Sequence, residues 1–306
     1  MKNVGFIYDD IFLKHATPDW HPERKERLIR IVSTLKESGL WEKIIHIEPH
    51  PAVYEEIALV HTHDYIKRIE HFGTGYLDSD TYMSEDSLKA AFYAAGAVTE
   101  AVERCKKGEI ERAFCAVRPP GHHAESDRAM GFCIFNNVAI GARYARKKGY
   151  KKVFIVDFDV HHGNGTQHIF EQDDTVFYFS THEYPHYPGT GKRSERGIGR
   201  GINYTYNVPM PSGSGDKEYR TVYQDILPPL VKNFEPDIVF VSAGYDIHKN
   251  DPLSDIRISD EGIREIVRNI LSCAPNPYIF ALEGGYNLSA LGESVRVTIE
   301  EMLKDS

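Results

Sequence analysis

The 306-residue sequence has only four cysteines, Cys105, Cys115, Cys133 and Cys273, and no two of them form a CxxC pair. Each lies in or beside an apolar segment, the setting of a buried free thiol rather than of a disulfide framework. No apolar run approaches the length of a membrane-spanning helix. The start, Met1-Lys2-Asn3 leading straight into Val4-Gly5-Phe6-Ile7-Tyr8, lacks the charged-then-apolar shape of a secretory leader, so a cytoplasmic protein is expected. A basic surplus is also missing. The net charge of −9 works against nucleic acid as a partner and is compatible with cationic substrates. There is no repeat, low-complexity tract or Pro/Ser linker, which leaves a single domain over 1–306 as the expected organisation. A phosphate loop is excluded too, because Gly189-Thr190-Gly191-Lys192 has His186 and Arg193 where that motif needs Gly and Ser or Thr.

What remains is an ordinary globular composition, 41% hydrophobic and 26% charged, long enough for a full core. Apolar runs at Val4–Tyr8, Ala113–Val117, Val153–Val156, Val176–Ser180, Ile238–Val241 and Tyr278–Leu282 read as strands. Helical patterns lie between them, at Pro22–Glu37, Asp86–Lys107, Asn137–Lys148, Lys217–Val231, Glu261–Cys273 and from Leu288 to Leu303. Short continuous strands alternating with helices predict an α/β domain with an open, mostly parallel sheet and helices on both faces. Two stretches break the alternation: the polar Thr62–Glu85, read in part as a surface loop, and the Gly- and Pro-rich Tyr184–Gly215, read as a long functional loop.

In such a sheet, ligands bind beyond the carboxyl ends of the strands. The four central candidates are followed by Arg118-Pro119-Pro120-Gly121-His122-His123, Asp157-Phe158-Asp159-Val160-His161, Ser242-Ala243-Gly244-Tyr245-Asp246 and Glu283-Gly284-Gly285-Tyr286. Asp159 and His161, at i and i+2 in an extended segment, point to one side. Asp246 supplies a third ligand, and three protein ligands with an open position is the pattern of a catalytic metal. Zn²⁺ suits this set and the donor types also admit Fe²⁺. His122 and His123 serve either as general base and acid or as ligands themselves, with Asp157 placed to accept a ring N–H from one of them. Tyr286, after two glycines, could hydrogen-bond an oxyanion.

Arg118–Ala124, Gly131-Phe132-Cys133-Ile134-Phe135-Asn136-Asn137, Asp157–Gly165, Tyr187-Pro188-Gly189-Thr190-Gly191, Ala243–Asp246 and Glu283–Tyr286 occur in this order, after His21-Pro22-Glu23 and Arg27. The whole chain thereby resembles the zinc-dependent histone deacetylase superfamily, with its acetylpolyamine amidohydrolases and bacterial deacetylase-like members. The resemblance implies an arginase/deacetylase-like fold and assigns Asp159, His161 and Asp246 as zinc ligands. It further implies His123 as general base and acid, His122 as the companion paired with Asp157, and Tyr286 as the group that polarises the carbonyl. Gly131, Phe132 and Tyr187 match the walls of an acyl-lysine tunnel, Tyr187 standing where Phe is frequent. A structural K⁺ is implied near Asp157, Asp159, His161 and Ser180, and a second alkali site near Phe170 and Tyr204. Asn164 replaces the Asp that some members pair with the second histidine, which points to the class II-like branch. A neutral partner there stabilises a protonated His123 less than a carboxylate does.

The function expected is hydrolysis of a short acyl amide, with acyl-lysine in peptides or proteins as substrate. Leu253, where a polyamine-selective relative is expected to carry an acid, offers no charge to a distal ammonium. An acetylated polyamine or other small acyl amine is the alternative, and a non-catalytic acyl-ligand binding module is the reading from a different class. A two-metal ureohydrolase would need a second carboxylate two residues after Asp246, where His248 stands.

Overall fold

Runs rich in β-branched and aromatic residues become strands, and the amphipathic stretches between them become covering helices. The computed structural model describes residues 2–275 and 277–305. Its strands are β1 (Val4–Ile7), β2 (Ile45–Ile47), β3 (Gly75–Tyr76), β4 (Tyr82–Met83), β5 (Arg112–Cys115), β6 (Val153–Asp157), β7 (Val176–Glu183), β8 (Thr205–Met210), β9 (Ile238–Ala243) and β10 (Tyr278–Leu282). The helices are α1 (Glu26–Glu37), α2 (Tyr54–Ile57), α3 (His63–Phe72), α4 (Ser87–Lys106), α5 (Asn137–Lys147), α6 (Asn164–Phe170), α7 (Asp216–Thr221), α8 (Leu227–Phe234), α9 (Asp260–Ser272) and α10 (Leu288–Leu303).

Eight strands form one sheet in the order β2-β1-β5-β10-β9-β6-β7-β8, while β3 and β4 make a separate antiparallel ribbon. Every pairing in the large sheet is parallel. Helices α4 and α5 pack together in one group and α1, α9 and α10 in another. Central strands β5, β6, β9 and β10 are buried at every residue, as a sheet covered on both sides requires. Each fully buried side chain such as Phe114, Ile155, Phe240 or Phe280 stabilises the fold by about 1.5–3 kcal/mol.

The order of the strands positions the site. The chain leaves β5 and enters β6 on the far side of two intervening strands, and the last two strands, β9 and β10, fill that gap. The four segments that carry the chemistry-bearing motifs therefore leave the sheet side by side at their carboxyl ends.

Several expected boundaries move. The first long helix begins at Glu26 rather than Pro22, because Glu23 is drawn into a buried ion cluster with Arg27 and Arg118. The expected helix over Lys217–Val231 runs as α7, a π turn at Val222–Ile226, and α8, which extends to Phe234. Thr62–Glu85 is not simply a loop. It holds α3, whose N-cap Thr62 accepts from the Tyr65 N–H, and then the β3–β4 ribbon. Tyr184–Gly215 contains edge strand β8. All four cysteines are free thiols, and no helix among the described residues is long and apolar enough to cross a membrane.

Candidate active site

Strand β6 ends at Asp157, and the chain crosses the mouth of the sheet before α6 begins at Asn164. Within that crossing the i, i+2 spacing turns Asp159 and His161 the same way, and Asp246, just past β9, meets them. Their ligand atoms all lie within 4.8 Å of one another, and no other such group occurs among the described residues. His161 Nδ1 stands 3.1 Å from Asp159 Oδ1 and 3.2 Å from Asp246 Oδ2. Backbone N–H groups hold the remaining oxygens. Gly284 donates to Asp159 Oδ2 at 2.8 Å and Val160 to Asp246 Oδ1 at 3.0 Å. Asp246 Oδ2 is buried and accepts no hydrogen bond, an orphan acceptor aimed into the trio. Gly284 keeps this space open, since a Cβ there would lie 2.0 Å from Asp246 Oδ2 and 2.7 Å from Asp159 Oδ2.

The electrostatics call for a cation. Burial, aided by the charge on Asp159, pushes Asp246 up to about 7. Burial opposes a charged His161, but its contacts with Asp159 and Asp246 outweigh that and lift it to about 10. Two carboxylates and an imidazole in a dry site, one oxygen left without a donor, fit a divalent metal with a position open to ligand.

The two adjacent histidines are pushed in opposite directions. Burial disfavours the charged form of His122, yet the carboxylates of Asp157, Asp159 and Glu283 overcome this and raise it to about 10. Its Nδ1 lies 3.0 Å from Asp157 Oδ2, which also accepts from Tyr178 Oη at 3.0 Å. Burial and the positive charge of His122 hold His123 well below the ordinary histidine value. Its Nδ1 lies 2.8 Å from Asn164 Oδ1. Opposite shifts of this kind suit a division into acid and base roles. Neither histidine belongs to the trio, so the reading of them as metal ligands is set aside.

Above this floor is a cavity of about 100 Å³. Gly131, Phe132, Tyr187 and Leu253 border it, and His122, His123, His161 and Tyr286 reach it from below. Tyr187 sets its ring edge-on to His123 at 5.2 Å, and Phe132 does the same to Tyr286 at 6.0 Å. Phe132 adopts φ +70°, a costly conformation for a non-glycine residue. Gly131, at φ +57°, lets the loop approach; a Cβ there would lie 2.5 Å from His123 Cδ2. Burial and the charge of Asp246 hold the Tyr286 phenol well above its usual pKa, so its hydroxyl stays a donor.

Several contributors escaped the sequence reading. Asp80 and Cys133 also line the cavity. Glu283 accepts from the N–H groups of Gly121 and His122 at 2.7 and 3.2 Å and from Ser242 Oγ at 3.0 Å, tying three strand ends together. Asp251 Oδ2 accepts from Tyr286 N at 2.6 Å and Asn287 N at 3.2 Å. Glu125 accepts from Asn164. For Glu125 and Asp251 the only signal available was an acid near a motif, and Glu283 and Cys133 stood inside motifs without a role of their own. Ser180 sits opposite Asp157 across β6 and β7, its hydroxyl 2.9 Å from His182 Nδ1.

Comparison with known proteins agrees with this geometry. The histone deacetylase domain family matches residues 21–302. A probable deacetylase of Archaeoglobus fulgidus is 38% identical over 93% of this chain and 82% of its own length. Histone deacetylase 5 of Arabidopsis thaliana is 37% identical over 99% of this chain, which spans 49% of that longer protein. Among solved structures, the HDA15 HD domain superposes with a TM-score of 0.94 at 37% identity, over 99% of this chain and 91% of that one.

Proposed function

Since the chain belongs to the histone deacetylase domain family, we propose that it is a zinc-dependent amidohydrolase that removes acetyl or another short acyl group from lysine side chains in peptides or proteins, with 1–306 as one catalytic domain. The observation that carries this reading is the Asp159–His161–Asp246 trio at the floor of a slot walled by Phe132 and Tyr187. Such a slot suits an unbranched alkyl stem with an amide at its tip.

Zinc held by those three residues would act as a Lewis acid toward the amide carbonyl and make water a better nucleophile; the same donors would accept Fe²⁺. The rest of the chemistry belongs to the chain. Neutral His123 takes a proton as water adds to the carbonyl carbon, then returns it to the amine nitrogen as the C–N bond breaks. His122, paired with Asp157, supplies positive charge beside the developing oxyanion. Tyr286 donates its hydroxyl hydrogen to that oxygen. Phe132 and Tyr187 flank the aliphatic stem and hold the amide in register. A K⁺ held near Asp157, Asp159, His161 and Ser180 would stiffen the segment that carries two of the ligands, and a second would lie near Phe170 and Tyr204.

Leu253, half-buried at the cavity, offers no charge to a distal ammonium and supports the acyl-lysine reading, while Asp80 is the one carboxylate among the cavity-lining residues. His248 stands where a second metal would need a carboxylate, and it supplies an imidazole that is not part of the trio. The test is amine release by metal-reconstituted protein from an acetyl-lysine peptide and from acetylated putrescine and spermidine. Release from the peptide is expected. Turnover of the polyamines alone would reassign the substrate to small amines, and silence on both with metal bound would favour a binding module.

A further inference from the structure

The two histidines of the pocket are supported differently. His122 meets a carboxylate directly, whereas His123 meets the amide of Asn164. The structure shows what stands behind that amide. Asn164 Nδ2 donates to Glu125 Oε1 at 2.6 Å and also faces the His123 carbonyl oxygen at 3.3 Å and Met130 Sδ at 3.2 Å. All three are acceptors. Glu125 is itself buried, 6% exposed, and His168 Nδ1 reaches its two oxygens at 2.9 and 3.1 Å. Asn164 and His168 are four residues apart on α6, one helical turn, so one face of that helix grips the carboxylate from both sides.

This arrangement determines the orientation of the amide. A carboxylate only accepts, so the Asn164 NH₂ must face Glu125 and the carbonyl Oδ1 must face His123. Oδ1 also only accepts, so His123 must carry its proton on Nδ1. Its Nε2, on the other edge of the ring, is then the nitrogen with a free lone pair. We propose that Glu125 is a positioning residue for His123, acting through Asn164 to fix which ring nitrogen is basic. The negative charge that a direct aspartate partner would bring is present, one residue further out. The inference rests on the reading of His123 as the proton carrier.

The geometry makes an unusual demand on variants. Glu125→Gln can present its own NH₂ to Asn164, freeing the amide to flip and the tautomer to change. Asn164→Asp sets two carboxylates against each other at the 2.6 Å contact. Combining them restores a consistent chain, in which the new carboxylate at position 164 accepts from His123 and the new amide at position 125 donates to that carboxylate. In the metal-reconstituted full chain with an acetyl-lysine peptide, each single change is expected to lower kcat about 10- to 100-fold with KM little changed. The double variant should recover at least about tenfold over either single one. Losses that merely multiply, or full activity in Glu125→Gln, would overturn the proposal. A second readout does not depend on the variants at these two positions folding. Nitrogen NMR of ¹⁵N-histidine-labelled wild type, with the His123 signals assigned by their loss in His123→Gln, should show a proton on Nδ1. A proton on Nε2 would refute the role of Glu125. An inactive wild type, or a His123→Ala variant as active as wild type, would instead remove the reading of His123 itself.

Discussion

Tyr286 is placed by its backbone and its ring. Its N–H is clamped to Asp251 Oδ2 at 2.6 Å, the Arg27 guanidinium carbon lies 5.1 Å from its ring centroid, and Phe132 meets it edge-on. The hydroxyl is thus delivered to the cavity by contacts that do not need it. Replacing Tyr286 by Phe should keep metal content and fold while lowering kcat about 100-fold or more, the cost of losing one oxyanion donor. Steady-state kinetics beside metal analysis checks this, and unchanged turnover would remove Tyr286 from the chemistry. At this scale the sequence was most legible where chemistry follows directly on a strand. Asp159, His161 and Asp246 meet as their positions after the strands implied, and the Asp157–His122 and His123–Asn164 pairs meet as the family resemblance implied. Glu125 was not legible, because an acid followed by Ser126 and Asp127 reads as a solvated turn until α6 folds over it. Asp251 was hidden similarly, since its partners are backbone N–H groups, which no residue type announces.

Among elements, the strands buried on both faces declared themselves as continuous apolar runs, and the edge strands did not. Strand β2 is three residues long with two exposed, and β8 carries Pro209, tolerated at an edge where the ladder continues on one side only. Helix α6 was missed because it is short and opens on the glycines of the ligand segment. What joins the elements at the site is a buried ion cluster. Arg118, beyond β5, bonds both oxygens of Glu23, one through Nη2 at 2.7 Å, and Arg27 of α1 reaches Glu23 at 3.0 Å. Arg27 also donates to the carbonyls of Glu283 and Gly285, beyond β10. Burial alone would raise the Glu23 carboxyl, but the charge and hydrogen bonds of Arg118 and the charge of Arg27 hold it well below the usual carboxylate range. A depressed folded-state value contributes stability above the ordinary carboxylate pKa, and that contribution fades only as pH falls below it. Glu23→Gln should therefore cost about 3 kcal/mol in urea unfolding near neutral pH, since it leaves two buried cations uncompensated. The loss should be equal at pH 6 and pH 8 and shrink below about pH 4. A loss that grows on acidification would contradict the assignment.

For the whole molecule, a parallel sheet collects at one end the residues that sequence separates by more than a hundred positions. Late insertion of β9 and β10 between β5 and β6 brings Asp246 and Tyr286 beside His123 and Asp159. The sequence announced that convergence because each of the four segments ends in polar, chemistry-bearing residues. It could not announce the shape of the slot, which depends on how Gly131–Phe132 and Tyr187 fold over the floor. One metal serving one catalytic floor is the central proposal. The most direct test measures metal content and acetyl-lysine peptide hydrolysis together as zinc is titrated into chelator-stripped protein, with Asp159→Ala beside it. The prediction is that activity rises in step with zinc, saturates at about one ion per chain, and is absent in the variant along with the ion. Hydrolysis by stripped protein, or a second ion needed for activity, would contradict it.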